Sequence, residues 1–287
     1  MKNIIYAYPH GFLKLIRFPN LLIVAITQIF TAKFLVGISS HWGAVFTEYK
    51  LLFLVTSTVL ITAGGYVIND YYDVKIDVVN KPSRLVVGRI MSRRITMFVH
   101  IVLTFAGLFI AQFLGMQILV IHFFAAFLLW LYSNKLKRVP FWGNFSVAFL
   151  TALAVFTVAV LYKTNYLPVL FYSVFAFFIS LLREIIKDME DVKGDKRFGC
   201  FTLPIKHGIR ASKKIIYNIQ LLFFLLLIGI GWYTGLNLLI FYIFLVIIPL
   251  FIFSLILFYA DTKKDFSFLS LFCKLIMLCG ILSMVFI

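Results

Sequence analysis

The chain has little charge, and very little of one sign. Only 13% of its 287 residues are charged and just 11 are acidic. A water-soluble domain carries about a quarter charged residues, so too little polar surface is present to cover a globule in water. Cysteine is also scarce: Cys200, Cys273 and Cys279 are the three present. None stands in a C-x-x-C pair, which excludes a disulfide scaffold and a thiolate zinc site. Disorder is excluded by what is abundant, since 63% of the residues are hydrophobic and 18% aromatic, with 34 phenylalanines. Unfolded chains have the opposite bias, low hydrophobicity and high charge. The remaining class is a polytopic helical membrane protein.

Crossing a bilayer as a helix takes about 20 mostly apolar residues. Such runs lie at roughly 19–38, 51–69, 95–114, 116–132, 142–163, 167–183, 215–235, 237–260 and 267–287. They predict an all-α bundle of nine transmembrane helices, one membrane domain over residues 1–287. Residues 1–18 carry Lys2, Lys14 and Arg17 but no cleavage site after a compact apolar run, so no removable signal peptide is expected.

The 27 basic residues fall in the N-terminal segment and in every second loop; Lys33, Lys50, Lys163 and Lys274 are the exceptions. The positive-inside rule then puts the N-terminus in the cytoplasm and, with nine spans, the C-terminus outside. The net charge of +16 mostly records orientation. It is spread over five segments and not gathered in one domain, so no nucleic-acid partner is expected.

Eight of the 11 acids occupy two short stretches. One is Asn69-Asp70-Tyr71-Tyr72-Asp73-Val74-Lys75-Ile76-Asp77, and the other runs from Glu184 through Asp188, Glu190 and Asp191 to Asp195. Both follow a predicted span on the basic side. In each the aspartates are spaced i, i+3, i+7: 70, 73, 77 and 188, 191, 195. At about 3.6 residues per turn they line one face if the helix continues through them. Stacked like charges on a helix repel, and ionised groups near hydrocarbon are costly and mark function. A bound cation is the simplest remedy. Oxygen-only ligands favour Mg²⁺, Mn²⁺ or Ca²⁺ over zinc or copper, and two such faces set opposite each other would hold two Mg²⁺ ions bridging a diphosphate. Groups suited to phosphate oxygens lie nearby in sequence: Arg84 after the first stretch, Arg183 and Lys187 at the second, and Tyr132-Ser133-Asn134-Lys135 after the fourth span.

Other features have plainer readings. His100 and His122 lie in apolar spans without a partner at metal spacing, and are expected to be satisfied core histidines. Lys33 and Lys274 are expected to snorkel or pair inside the bundle. Gly64-Gly65 is expected to permit close helix packing.

These residues together resemble the UbiA family of intramembrane prenyltransferases, over essentially the whole chain. Asn69-xxx-Asp73-xxx-Asp77 looks like the family's first acidic motif and Asp188 to Asp195 like its second; Arg17-Phe18-Pro19-Asn20 and Tyr132-Ser133 also match its habits. The two motifs, with Asn80-Lys81-Pro82-Ser83-Arg84, look most like the digeranylgeranylglyceryl phosphate synthase branch. That branch usually continues Arg-Pro-x-Pro-Ser-Gly, whereas this chain reads Arg84-Leu85-Val86-Val87-Gly88. Loss of both prolines implies a less rigid loop and leaves the acceptor open.

The resemblance implies Mg²⁺-dependent transfer of a polyprenyl group from its diphosphate to an acceptor in the membrane. The acceptor would be a geranylgeranylglyceryl phosphate-like lipid or, alternatively, an aromatic compound of quinone or haem biosynthesis. Asn69, Asp70, Asp73, Asp77, Asp188, Asp191 and Asp195 would hold two Mg²⁺ ions, with Asn69, Asp73, Asp77, Asp191 and Asp195 catalytic. Arg17, Arg84, Tyr132, Ser133, Lys135, Arg183 and Lys187 would hold the diphosphate, and Asn20 the acceptor. An allylic carbocation would need aromatic faces, for which Tyr66, Tyr71, Tyr72 and Phe178 are candidates. The setting would be a bacterial or archaeal plasma membrane with the site facing the cytoplasm. A cation transporter is the rival of another class, although it would bury its acids at mid-membrane. An integral CDP-alcohol phosphotransferase would need an Asp-x-x-Asp-Gly-x-x-Ala-Arg motif, which this chain lacks.

Overall fold

The computed structural model describes residues 2–80, 82, 85–234 and 246–286, with side chains from residue 9 onward and excluding 230–234. Among these residues the regular structure is helical. The helices are α1 (Lys2–Leu15), α2 (Phe18–Phe30, continued by a π-helical turn Thr31–Val36), α3 (Trp42–Thr47), α4 (Tyr49–Asn80), α5 (Arg93–Ala111), α6 (Met116–Asn134), α7 (Trp142–Tyr162), α8 (Tyr166–Arg197), α9 (Leu203–His207), α10 (Ile209–Thr234), α11 (Ile248–Tyr259) and α12 (Lys263–Ser283). Eight described helical segments are long and apolar enough to cross a membrane. The expected span 237–260 lies partly outside the described residues; its described part is α11.

The chain forms two compact units. One comprises Met1–Lys137 and Ala154–Tyr166, the other Arg138–Leu153 and Leu167–Ile287. In the first unit α4 packs along α5, α6 and α2. Glycine sets the α4–α5 spacing: a Cβ on Gly107 would lie 2.7 Å from Ile61 Cγ1 and 3.0 Å from the Ser57 carbonyl oxygen, and one on Gly64 would lie 2.6 Å from Thr104 Oγ1. This agrees with the expected packing role of Gly64-Gly65. Gly107→Ala gains at most about 1 kcal/mol of helix propensity, against about 1–3 kcal/mol for overpacking. Because one neighbour is backbone, overpacking wins, and thermal unfolding in detergent will show a lowered midpoint.

A buried polar network ties the same unit together. Gln28 on α2 donates to Thr58 Oγ1 (3.1 Å) and to the Ala154 carbonyl (2.9 Å). His122 Nδ1 lies 3.0 Å from the Ile118 carbonyl, which assigns the proton to that nitrogen, so Nε2 accepts from Thr58 at 3.2 Å. His100 Nδ1 meets the Gly64 carbonyl at 3.0 Å. His122 is a satisfied core residue, and His100 is satisfied but half-buried. Lys33 binds the carbonyls of Ser39 and Ser40 and sits 4.6 Å from the Trp42 ring centroid. Away from this interior, α5 presents Phe98, Phe105 and Phe109 outward, and the 3₁₀ turn Gln112–Leu114 after it presents Phe113, all exposed, as a lipid-facing stripe would be.

The described part of the loop after the first acidic stretch is built on apolar burial. Its two valines are almost fully buried beside Leu15, Val67 and Met91. Gly88, at φ 83°, donates to the Met91 carbonyl (2.8 Å), and Ile90 N–H donates to the Val86 carbonyl (2.8 Å). Apolar burial and a closed turn organise residues 86–91.

In the second unit α8 is the central element. Phe178, Ile179, Leu182, Ile185 and Ile186 pack into a core with Phe223 of α10, Leu250 and Phe253 of α11 and Leu269 and Cys273 of α12. Phe178 stacks on Phe223 at 4.9 Å, so its ring is engaged in core packing.

Candidate active site

The two acidic stretches are continuous helix. α4 runs on to Asn80, two residues before Pro82, whose ring and missing N–H bar further helix. α8 runs on to Arg197. The α4 span therefore extends about three turns past its expected end and the α8 span about four, and the aspartates of each stretch share one face.

On α4, Asn69 and Asp73 are buried, while Asp70 and Asp77 are half-buried. Asn69 Nδ2 donates to Asp73 Oδ2 at 2.8 Å. The same oxygen is paired with the ammonium of Lys137. Asp70 Oδ1 receives Arg17 Nη2 at 2.8 Å. Arg17 precedes α2 in a left-handed conformation (φ 52°, ψ 52°), which carries its guanidinium to α4 and over the Tyr66 ring, 4.8 Å from the centroid. Burial alone would lower the Arg17 pKa, but Asp70, Tyr66 and Asp77 outweigh it and raise the value, so the cation persists. Arg93 covers the Tyr71 ring at 4.5 Å. Two of the candidate aromatic faces are thus engaged by arginine.

On α8, Asp195 is buried and Asp191 half-buried. Asp188 Oδ2 accepts from Asn144 Nδ2 at 2.8 Å. Glu184 is buried and receives Arg183 Nη1 at 2.9 Å, and Lys187 Nζ at 2.9 and 3.1 Å. The two expected phosphate ligands are therefore gathered on one carboxylate within a helical turn. Arg183 Nε is buried without a hydrogen-bond partner, a donor available to an anion.

The other expected ligands divide. Ser133 is buried and its hydroxyl donates to the Leu129 carbonyl at 2.9 Å. Tyr132 and Asn20 are half-buried, and Lys135 is exposed. Arg84 lies outside the described residues. Sequence reasoning missed Lys137, Asn144 and Glu184. Lys137 was hidden among the many basic residues of the loops. Asn144 had a signal, because an amide in the apolar first turn of α7 is costly without a partner.

Among the described residues no three His, Cys, Asp or Glu side chains form a ready metal cage. Carboxylate oxygens presented singly suit Mg²⁺, which binds through one or two carboxylates, water and substrate phosphates. The donor set fits that ion.

Residues 30–276 match the UbiA prenyltransferase family. The chain is 34% identical over 277 residues to the digeranylgeranylglyceryl phosphate synthase of Saccharolobus solfataricus, covering 95% of both chains. It is 33% identical over 208 residues to the synthase of that name from Pyrococcus horikoshii, covering 71% of each. Its fold resembles a UbiA homolog from Archaeoglobus fulgidus bound to GPP and Mg²⁺, with a TM-score of 0.71 at 16% identity over 96% of this chain and 100% of that one. Two acidic helix faces on an all-helical membrane scaffold, and a family match across nearly the whole length, make this chain an integral membrane member of the UbiA prenyltransferase family.

Proposed function

We propose that this enzyme transfers a polyprenyl group from its diphosphate to a geranylgeranylglyceryl phosphate-like lipid, in a Mg²⁺-dependent reaction. The carrying observation is the face of α4, where Asp73 is held by Asn69 and Lys137 and Asp70 by Arg17. The names of the curated relatives support the acceptor. Breakage of the prenyl C–O bond sends its electron pair to the diphosphate, and a new ether bond forms to an acceptor hydroxyl oxygen, which loses its proton.

Asn69, Asp70, Asp73 and Asp77 on α4 and Asp188, Asp191 and Asp195 on α8 would hold Mg²⁺, which would supply Lewis-acid stabilisation of the leaving diphosphate. The chain's own cations do the remaining work. Arg17, Arg84, Lys137, Arg183 and Lys187 hold diphosphate oxygens, with Tyr132 and Ser133 beside them. Asn20, on the first turn of α2 directly after Arg17, orients the acceptor. Lys135 is the weakest of the expected ligands, being exposed.

The same reading takes nine spans, a cytoplasmic N-terminus and acidic helix ends, and an outer C-terminus in the plasma membrane, supported by the one-sided basic loops. It takes the two units as one catalytic domain, supported by a family match that runs through both.

Purified enzyme in nanodiscs, given labelled geranylgeranyl diphosphate and Mg²⁺, is expected to prenylate geranylgeranylglyceryl phosphate in preference to 4-hydroxybenzoate, dihydroxynaphthoate or haem. The product mass decides. A prenylated aromatic would replace the acceptor, and ion flux in proteoliposomes indifferent to prenyl diphosphate would overturn the enzymatic reading.

A further inference from the structure

The acidic side chains at the start of the second motif are held in two chemically different ways. Glu184 is met by two cations, Arg183 and Lys187. Asp188, one turn on, is met by the neutral amide of Asn144 at 2.8 Å. A cation partner cancels a carboxylate's charge. An amide donor fixes the carboxylate's orientation. It also occupies one oxygen, Oδ2, and leaves Oδ1. The same device recurs in the first motif, where Asn69 donates to Asp73 Oδ2, also at 2.8 Å.

The local backbone is built to deliver this amide. Phe141 sits at φ 69°, a left-handed conformation strained for a bulky residue. Trp142 N–H closes a turn to the Pro140 carbonyl at 2.8 Å, and Phe145 N–H meets the Phe141 carbonyl at 2.9 Å. The rings of Phe141, Trp142 and Phe145 pack on one another, and Phe145 packs against Phe177 of α8 at 5.4 Å. Asn144 is buried inside this first turn of α7, with 6% of its surface exposed. Its partner is 44 residues away in the chain.

We propose that Asn144 is a positioning residue of the second acidic motif, orienting Asp188 so that its other oxygen, Oδ1, is offered to a divalent cation. The proposal rests on the reading of Asp188 as a metal-holding group. Glu184, by contrast, organises the neighbouring cations and holds no metal.

The test compares wild type, Asn144→Ala and Asn144→Leu in nanodiscs, the leucine variant keeping an apolar side chain of similar volume in the packed turn. Mn²⁺ binding is read by electron paramagnetic resonance with pyrophosphate present, and the Mg²⁺ dependence of turnover is read alongside. Loss of an outer-shell partner typically weakens metal binding about 10–100-fold, and that is the expected shift for both variants. Turnover at saturating Mg²⁺ should stay within a few-fold of wild type. Unchanged Mn²⁺ affinity with reduced turnover or a lowered unfolding midpoint in both variants would overturn the proposal, as would a wild type that binds no Mn²⁺. If wild type binds Mn²⁺ but transfers no prenyl group, the reaction reading fails alone; weaker binding in the variants then still supports the role of Asn144.

Discussion

Replacing Asp73 with asparagine is expected to reduce Mg²⁺-dependent prenyl transfer by about 10³-fold, or ~4 kcal/mol of transition-state stabilisation, and to leave the protein folded. On α4, Asn69 and Lys137 both reach Asp73 Oδ2. The asparagine keeps the shape and a hydrogen-bonding group, so no cavity forms. It removes one negative charge from a face that also carries Asp70 and Asp77, which relieves like-charge repulsion. Lys137 keeps 23% of its side chain in contact with solvent and can turn outward. The unfolding midpoint is therefore expected to hold or rise while activity falls, the usual opposition of stability and function at a strained site. Asp191→Ala is expected to behave alike on α8. Turnover assays paired with thermal unfolding check both variants, and full activity in either would sink the proposed pair of metal-holding faces.

Entry into α4 and α8 was legible in hydropathy, but their ends were not. The apolar run stops near Asn69 and Arg183, which placed the span ends there. Helix continues because one side stays apolar: Ile76 remains buried on α4, and Ile185, Ile186 and Met189 remain buried on α8. A window average loses that side as soon as charges occupy the other. The i, i+3, i+7 spacing was the better guide, since it made sense only on a continuing helix. The glycines and histidines of the first unit could be read because their alternatives each required a second feature that was missing. Val87 was harder to read. Judged only as a missing proline it implied slackness, and its value as a buried side chain depended on Leu15 and Val67, remote in sequence. Asn144 was harder still, because an amide adds nothing to a charge count and its partner lies on another helix.

Lys137 and Lys135 provide the sharpest separation between adjacent basic residues. α6 ends at Asn134 and a short 3₁₀ turn, Leu136–Arg138, follows. That turn brings Lys137 onto Asp73 and leaves Lys135 exposed. Without a divalent cation, the Lys137 ammonium is what compensates a carboxylate with only 5% of its side chain exposed. On the proposed function, a cation at Asp73 would release the ammonium to diphosphate oxygens, where a charge-assisted hydrogen bond would contribute about 1.5–3 kcal/mol. Lys137→Met is accordingly expected to lower kcat/KM for the prenyl diphosphate by about 10–100-fold, and Lys135→Met to change it less than about 2-fold. A second readout separates this role from a structural one. Removing one partner of a buried pair leaves an uncompensated charge, costing about 3 kcal/mol. Lys137→Met should therefore unfold at lower temperature without Mg²⁺ and gain more stability than wild type when Mg²⁺ and pyrophosphate are added. Equal losses in the two lysine variants, or a Mg²⁺ response no larger than that of wild type, would remove Lys137 from the site.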